Sequence, residues 1–316
     1  MPERTVERIT VPVIRIQGDS IETSGHTSKG NQLKWYQDGW WYKADAFGYE
    51  SLAETLVTRL LKETDWTDYV RYEPVTVDWN GRLYRSCRSQ NFLRQGEELL
   101  PLEKLYRSVT GFSLAEQLSH MHEVDQRVAH AVEFVENLTG IEGFGAYLSG
   151  MLEMDMFFLN EDRHTNNIAL IYRQADRSYR LCPYFDMGLS LYADTREEYP
   201  LDMDVETCRK RVRAKPFSQD FDEQMDAAGR LYGWSLHFPM GRSRLWHLLE
   251  DMQAAYEPDP GAPWYSPREW KRMRAAVMDQ ALSYLTVLTG PVTVGDRTLK
   301  PRNNLQKSCG SSRDCG

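Results

Sequence analysis

A polar cluster set between apolar segments constrains this chain more than any other feature of its sequence. Residues 157–170 read Phe-Phe-Leu-Asn-Glu-Asp-Arg-His-Thr-Asn-Asn-Ile-Ala-Leu, which places Asp162 five positions before Asn167. A second carboxylate, Asp186, follows in the segment Pro-Tyr-Phe-Asp-Met-Gly. Apolar flanks on both sides hold such polar side chains rigidly, so that a reactive group can be fixed between them. The pattern therefore predicts a rigid scaffold around these three side chains.

The types and spacing of these residues indicate phosphoryl transfer. In that chemistry one Asp accepts or orients the proton of the attacking hydroxyl, while an Asn and a second Asp hold Mg²⁺ on the nucleotide phosphates. Asp162 fits the first role, and Asn167 and Asp186 fit the second. A charged loop that Asp and Asn side chains cap is common turn chemistry, and the stretch by itself leaves that alternative open.

The composition is that of a soluble globular protein. The 316 residues are 41% hydrophobic and 27% charged, enough for one large or two smaller domains. A net charge of −8 argues against a dedicated nucleic-acid binder. The sequence shows no apolar run of about 18 residues and no signal-peptide core, and its five cysteines suggest no disulfide framework. We therefore expect no membrane association and a cytoplasmic location.

The first 95 residues have the character of a small antiparallel sheet. Asp38-Gly39 lies between two aromatic segments and is a strong hairpin signal. The β-branched and aromatic segments that we expect to form strands are residues 10–17, 33–36, 39–44, 70–77 and 83–87. We predict that this sheet domain covers residues 1–95.

A small, flexible segment follows the first predicted strand. Its candidate ATP-binding residues are Ser24, Gly25, His26, Thr27, Ser28, Lys29 and Gly30. The glycines leave backbone N–H groups free to face phosphates, although no Gly-Lys-Ser/Thr sequence makes the segment a Walker A motif. An ordinary solvent turn is an equally open interpretation.

Lys43 lies at the end of a predicted strand, and an amphipathic helix follows from Glu50 to about Lys62. Kinases use a strand lysine and a glutamate on the next helix to hold the α- and β-phosphates. Glu50 is our first candidate for that glutamate and Glu54, one helical turn later, is the second. A surface lysine with two solvated glutamates is the alternative.

Beyond residue 95 the pattern becomes helical, and we predict a second domain over residues 96–302. Apolar spacings of three and four predict helices over 101–109, 113–121, 124–138, 144–158, 223–236, 242–256 and 267–289. A predicted strand pair at 167–172 and 179–181 lies between the Asp162 cluster and Asp186. Residues 189–222 are predicted to be irregular. The nearly apolar-free tail, 303–316, is predicted to be disordered.

Other reaction classes lack their residues. The seven histidines form no His-Glu-x-x-His pair for zinc, and no Gly-x-Ser-x-Gly elbow is present for acyl transfer. His164 is expected to structure the loop around Asp162 through hydrogen bonds rather than to bind metal.

Taken in order, these motifs resemble the HipA-like and CtkA-like serine/threonine kinases. Ser24-Gly25-x3-Lys29 resembles the phosphate loop of that family, and Asp162-Arg163-His164-x-x-Asn167 is also similar to the catalytic loop of phosphatidylinositol kinases. The resemblance covers residues 10–290 and implies an α+β, two-lobed protein-kinase-like fold with a small antiparallel N-lobe and a mainly helical C-lobe. Met187 replaces the apolar partner that usually follows this aspartate in the family. This replacement leaves open how the activation state would be controlled.

The resemblance also implies an activity. It implies ATP and Mg²⁺ as cofactors, Lys43, Glu50 and Asp162 as catalytic residues, Asn167 and Asp186 as metal ligands, and a protein Ser/Thr hydroxyl as the acceptor. Autophosphorylation of Ser24, Thr27 or Ser28 would compete electrostatically with bound ATP. A small-molecule or lipid-headgroup kinase and a binding-only pseudokinase remain alternatives. An antitoxin-like or regulatory protein is a further expected partner.

Overall fold

The computed structural model describes residues 8–19, 32–234 and 240–288, together with residues 6 and 238. The predicted phosphate loop and the tail lie outside these residues. Within them the chain forms a sheet-based lobe followed by a helical lobe, which confirms the predicted α+β, two-lobed arrangement. The N-terminal strands are β1 (Ile9–Val11), β2 (Val13–Ile16), β3 (Lys34–Gln37), β4 (Trp40–Ala44), β5 (Glu73–Trp79) and β6 (Arg82–Gln90).

Two tight hairpins set the register of the main sheet, whose strand order is β2-β5-β6-β4-β3. Asp38 and Gly39 have φ values of 52° and 82°, and Asn80 and Gly81 have 54° and 77°. Positive φ at both central residues is the type I′ geometry that matches the twist of antiparallel strands. The first hairpin thereby places Lys34 directly opposite Lys43.

One edge of this sheet departs from the predicted antiparallel pairing. The β3-β4, β4-β6 and β5-β6 pairs are antiparallel as predicted, whereas β2 joins β5 in parallel. The side chain of Gln37 on β3 accepts a hydrogen bond from the N–H of Gln17 and donates one to the carbonyl of Arg15. These bonds tie the two edges together, so the sheet curls around a core that includes Trp35 and Val77.

The helix that follows β4 joins the sheet to the rest of the molecule. This helix, α1 (Glu50–Leu61), buries every residue except Arg59. Its apolar residues, such as Leu56 and Leu60, belong to the large core of the helical lobe rather than to the smaller core inside the sheet. α1 is therefore positioned by both lobes at once.

The helical lobe follows the predicted order closely. Its helices are α2 (Leu102–Thr110), α3 (Leu114–Ser119), α4 (Val124–Thr139), α5 (Phe144–Phe158), α6 (Val205–Arg211), α7 (Phe221–Tyr232), α8 (Arg242–Ala255) and α9 (Pro267–Leu288). α5 is buried along almost its whole length and ends at Leu159, whose φ of 54° turns the chain sharply into the polar cluster. Among the described residues no helix is both long and apolar enough to cross a membrane.

Two small sheets complete the fold. The predicted strand pair forms β8 (Ala169–Arg173) and β9 (Ser178–Leu181), and β7 (Glu97–Pro101) adds to its edge. β1 pairs in parallel with β10 (Tyr256–Pro258), so the chain contacts the helical lobe before it enters the main sheet. The sequence analysis did not predict α6, β7 or β10, all of which are short.

Candidate active site

Lys43 is one of the side chains that connect the two lobes. Its ammonium nitrogen lies 2.7 Å from Asp186 Oδ1 and 3.0 Å from Glu54 Oε1, and it donates to the Tyr72 hydroxyl at 3.3 Å. Burial would lower the pKa of Lys43, but the two carboxylates outweigh it and raise that pKa well above its usual value. The lysine is therefore a fixed positive charge in the cleft.

The glutamate that pairs with Lys43 is Glu54, and the prediction of Glu50 as first candidate is wrong in this respect. Glu54 Oε1 accepts the hydrogen bond from Lys43, and its Oε2 accepts one from the N–H of Met187 at 3.0 Å. Burial raises the pKa of Glu54, although Lys43 opposes this effect. One carboxylate thus joins β4 to the segment that carries Asp186.

Glu50 is the first residue of α1, one helical turn before Glu54, and it makes different contacts. Its carboxylate accepts hydrogen bonds from the backbone N–H groups of Ala46, Phe47 and Gly48. These bonds fix the turn between β4 and α1, and the glycine in that turn has no room for a side chain, since a Cβ would lie 2.0 Å from the carbonyl oxygen of Ala193. Glu50 therefore organises the loop beside the cleft rather than the lysine in it.

A buried ion pair that the sequence analysis did not identify holds the loop around Asp162. Arg163 is fully buried, and its Nε lies 2.8 Å from Asp155 Oδ2 near the end of α5. The same guanidinium donates to the carbonyls of Asn167 and Phe185 and to the sulfur of Met187. One arginine thus connects α5, the Asp162 loop and the Asp186 segment.

Asp162 and Asn167 lie side by side within this loop. The amide nitrogen of Asn167 donates to the backbone carbonyl of Asp162 at 2.8 Å and lies 3.4 Å from its Oδ2. The oxygen is the atom of such an amide that ligates cations. Lys215, from the helical lobe, places its Nζ 3.7 Å from Asp162 Oδ1.

Asp186 is held in a left-handed backbone conformation, with φ of 60°. Asp tolerates this region better than most residues, and such conformations concentrate at functional sites. Burial would raise the pKa of Asp186, but Lys43 and Lys34 outweigh it and hold that pKa well below its usual range. Asp186 is therefore an anion that faces the two lysines of the main sheet.

The expected scaffolding role of the His164 side chain is not observed. Among the described residues, neither ring nitrogen of His164 has a hydrogen-bond partner. Its Nε2 lies 3.8 Å from Asp162 Oδ2, beyond hydrogen-bonding distance. Arg163, the preceding residue, makes the contacts that had been expected of the histidine.

The cleft between these elements is lined from both lobes. Its walls are formed by Gln32, Lys34, Phe47, Glu50, Asp162, Asp186, Gly188 and Leu189. Burial lowers the pKa of Lys34 against the opposing effect of Asp186. The sequence analysis did not single out Lys34, although the two-residue hairpin at Asp38-Gly39 places it opposite Lys43.

The structure thus places Asp162 and Asp186 in the wall of one cleft, while Lys43 contacts Asp186 and Asn167 contacts Asp162. Glu50 borders the same cleft but makes other contacts than predicted. The candidate phosphate loop, Ser24 to Gly30, lies outside the described residues.

Comparisons with known proteins identify the class of fold. No protein-family model matches the chain, and no curated protein sequence matches it significantly. In structure it is similar to the proinflammatory kinase CtkA of Helicobacter pylori, with a TM-score of 0.53 and 12% identity over 88% of this chain and 96% of that one. The chain therefore has the kinase-like fold of CtkA, as the sequence resemblance predicted.

A second solved structure is HipA of Shewanella oneidensis MR-1, in a toxin–antitoxin complex with HipB and operator DNA. It has a TM-score of 0.45 and 12% identity, over 86% of this chain and 67% of that one.

Proposed function

We propose that this chain is a kinase that transfers the γ-phosphoryl group of ATP, with Mg²⁺, to a hydroxyl group. The observation that carries the proposal is the position of Lys43 between Glu54 and Asp186, because Asp186 lines the same cleft as Asp162. A buried cation tied to a helix glutamate is the device by which kinases hold the α- and β-phosphates. The alternative interpretation, a surface loop capped by Asp and Asn side chains, would not require a buried lysine–glutamate pair.

The donor set of the cleft suits Mg²⁺. Asn167 and Asp186 offer an amide oxygen and a carboxylate, and Mg²⁺ in nucleotide sites takes one or two carboxylates together with substrate phosphates. Within the described chain no cluster of three or more His, Cys, Asp or Glu side chains could hold a metal ion by itself. An ion on Asn167 and Asp186 would neutralise charge on the phosphates.

Asp162 is assigned to the acceptor hydroxyl. Its carboxylate is about nine-tenths buried, with 10% of the side chain exposed, so one face remains open to the cleft. Arg163 and Asn167 fix the loop from behind, which limits the movement of the carboxylate. In this role Asp162 orients the hydroxyl and takes its proton as the oxygen attacks phosphorus.

We further propose a protein Ser or Thr as the acceptor and Ser24, Thr27 and Ser28 as autophosphorylation sites. Support comes from the sequence resemblance to HipA-like kinases. A regulatory protein partner stays a prediction from the same resemblance. The cytoplasmic location, the domain boundary near residue 95 and the phosphate loop also stay predictions from the sequence. A small-molecule or lipid-headgroup kinase would use the same cleft.

Transfer of label from γ-labelled ATP tests the proposal. The purified chain is incubated with Mg²⁺ and either a generic protein substrate or a panel of small alcohols, with chelated metal as a control. Label on Ser or Thr of protein supports the proposal, whereas label on the alcohols alone supports the small-molecule alternative. Thermal stabilisation by ATP without any transfer would instead identify a binding-only pseudokinase.

A further inference from the structure

A lysine from a distant segment faces the carboxylate of Asp162. Lys215 follows α6 by four residues, and its Nζ lies 3.7 Å from Asp162 Oδ1. This separation is within ion-pair range but too long for a hydrogen bond. The side chain is 39% exposed, and the described residues provide no hydrogen-bond partner for its ammonium group. Its donors are therefore available to a group that enters the cleft.

The backbone that carries Lys215 is firmly anchored. Ala214 and Phe217, on either side of it, are 2% and 0% exposed. The N–H of Ala214 donates to the carbonyl of Gln219, and Arg127 donates to the carbonyl of Phe217 at 2.6 Å. An exposed ammonium on a buried backbone is a common design for binding a charged ligand, because the arm is held in place while its head stays accessible.

The positive charges of the cleft come from two directions. Lys34 and Lys43 approach from the sheet and face Asp186. Lys215 approaches Asp162 from the helical lobe. The nucleotide side of the cleft and the carboxylate assigned to the acceptor hydroxyl therefore have separate cations.

We propose that Lys215 is a further catalytic residue, which binds the phosphoryl group during its transfer. This inference rests on the proposed kinase function. During transfer the bond from phosphorus to the leaving oxygen of the nucleotide breaks, the bond to the acceptor oxygen forms, and the acceptor proton passes to Asp162. Negative charge lies on the equatorial oxygens of the moving group. Lys215 stays protonated throughout and faces that charge.

A purely structural role for Lys215 does not account for this arrangement. An ion pair with one partner this exposed contributes only about 0–1 kcal/mol to stability. The neighbouring backbone bonds and buried side chains hold the segment without the ammonium group. A cation beside a developing charge in a partly water-excluded site, by contrast, acts strongly on the rate.

Single-turnover transfer by variants of the full chain tests the inference. Lys215→Ala is expected to lower the rate of transfer about a hundredfold and to leave the dissociation constant of ATP unchanged. Lys215→Arg, which retains the charge in a different geometry, is expected to keep more of the rate than Lys215→Ala does. Lys210→Ala is the matched control, because Lys210 lies on α6, is exposed and pairs with Glu206 at 2.7 Å. Thermal unfolding checks that each variant is folded.

The outcomes separate this inference from the proposed function. If the unmodified chain transfers phosphate and Lys215→Ala does so within twofold of it, the inference is overturned and the kinase function stands. Equal losses in Lys215→Ala and Lys215→Arg, or an equal loss in the Lys210 control, also overturn it. If the unmodified chain transfers no phosphate to any acceptor, both proposals fail. A loss of transfer that is confined to Lys215→Ala and is smaller in Lys215→Arg supports the role of Lys215.

Discussion

Replacement of Glu54 by Gln removes one charge from the contact that joins the two lobes. In the native chain one carboxylate oxygen accepts from Lys43 and the other accepts from the N–H of Met187, both at 3.0 Å. Gln has the same shape but only one oxygen. Its NH₂ group must therefore face one of these two donors, and either Lys43 or the Asp186 segment loses its bond.

The size of the effect follows from the bond that is lost. A hydrogen bond to a charged group contributes about 1.5–3 kcal/mol, and about 1.4 kcal/mol in the barrier corresponds to a factor of ten in rate. We therefore expect Glu54→Gln to lower kcat/KM for phosphate transfer about ten- to a hundredfold. Part of the loss should be a weaker affinity for ATP, because Lys43 is assigned to the phosphates.

Glu50→Gln is the matched control, one helical turn away on the same helix. Its oxygen can still accept from Ala46 and Phe47, but its NH₂ group would face the N–H of Gly48. A buried donor without a partner costs about 1–3 kcal/mol of stability. This variant should therefore lower the free energy of unfolding, measured with urea, and should affect kcat/KM less than Glu54→Gln does.

Initial rates with saturating acceptor and urea unfolding curves, measured on both variants, separate the two roles. If Glu50→Gln lowers kcat/KM more than Glu54→Gln while both remain folded, Glu50 is the functional partner of Lys43. The assignment made from the structure would then be refuted.

Three further predictions concern other parts of the site and the fold. Arg163→Met leaves Asp155 buried without its cation and should lower the free energy of unfolding by about 3–5 kcal/mol in urea titrations; a loss below about 1 kcal/mol would contradict the role of this pair. Lys34→Met should weaken ATP binding in calorimetry, and an unchanged affinity would remove Lys34 from the nucleotide site. Burial and Asp222 raise the pKa of Asp226 from 3.8 to about 6, so its contribution to stability is present at low pH and is lost as pH rises through about 6. Asp226→Asn should flatten the pH dependence of unfolding between those values, and an unchanged slope would contradict the shift.

Local chemistry made much of the fold predictable. Asp38-Gly39 predicted a hairpin, and the structure has positive φ at both residues. The apolar stripe that begins at Glu50 predicted α1 to within one residue of its end at Leu61. In both cases the residues that determine the structure are close neighbours in the chain. The turn follows from the two residues at its centre, and the helix follows from the spacing of its apolar residues.

The choice between Glu50 and Glu54 could not be made in this way. Both residues lie on one face of the same helix, and only the position of the helix against β4 decides which of them reaches Lys43. Arg163 was missed for a related reason, since its partner Asp155 lies in an apolar helix that reads as core packing. A buried ion pair across eight residues has no periodic signature in the sequence.

Two strands of the smaller sheets could not be predicted from local sequence patterns either. β7 and β10 are short and pair with strands far away in the chain, at β8 and β1. Their identity as strands depends on those partners, because cross-strand contacts rather than intrinsic preference stabilise such segments. Lys34, by contrast, could have been found, since the predicted hairpin already fixed its position opposite Lys43.

The central claim, that Asp162 acts on the acceptor hydroxyl of a kinase, is tested most directly by phosphate transfer from γ-labelled ATP in Asp162→Asn. The exposed Asp176, which pairs with Arg173 on the β8-β9 hairpin, provides the control Asp176→Asn. The account predicts that Asp162→Asn binds ATP as the unmodified chain does but transfers phosphate at least about a hundredfold more slowly. Transfer at the unmodified rate by a folded Asp162→Asn variant would contradict it.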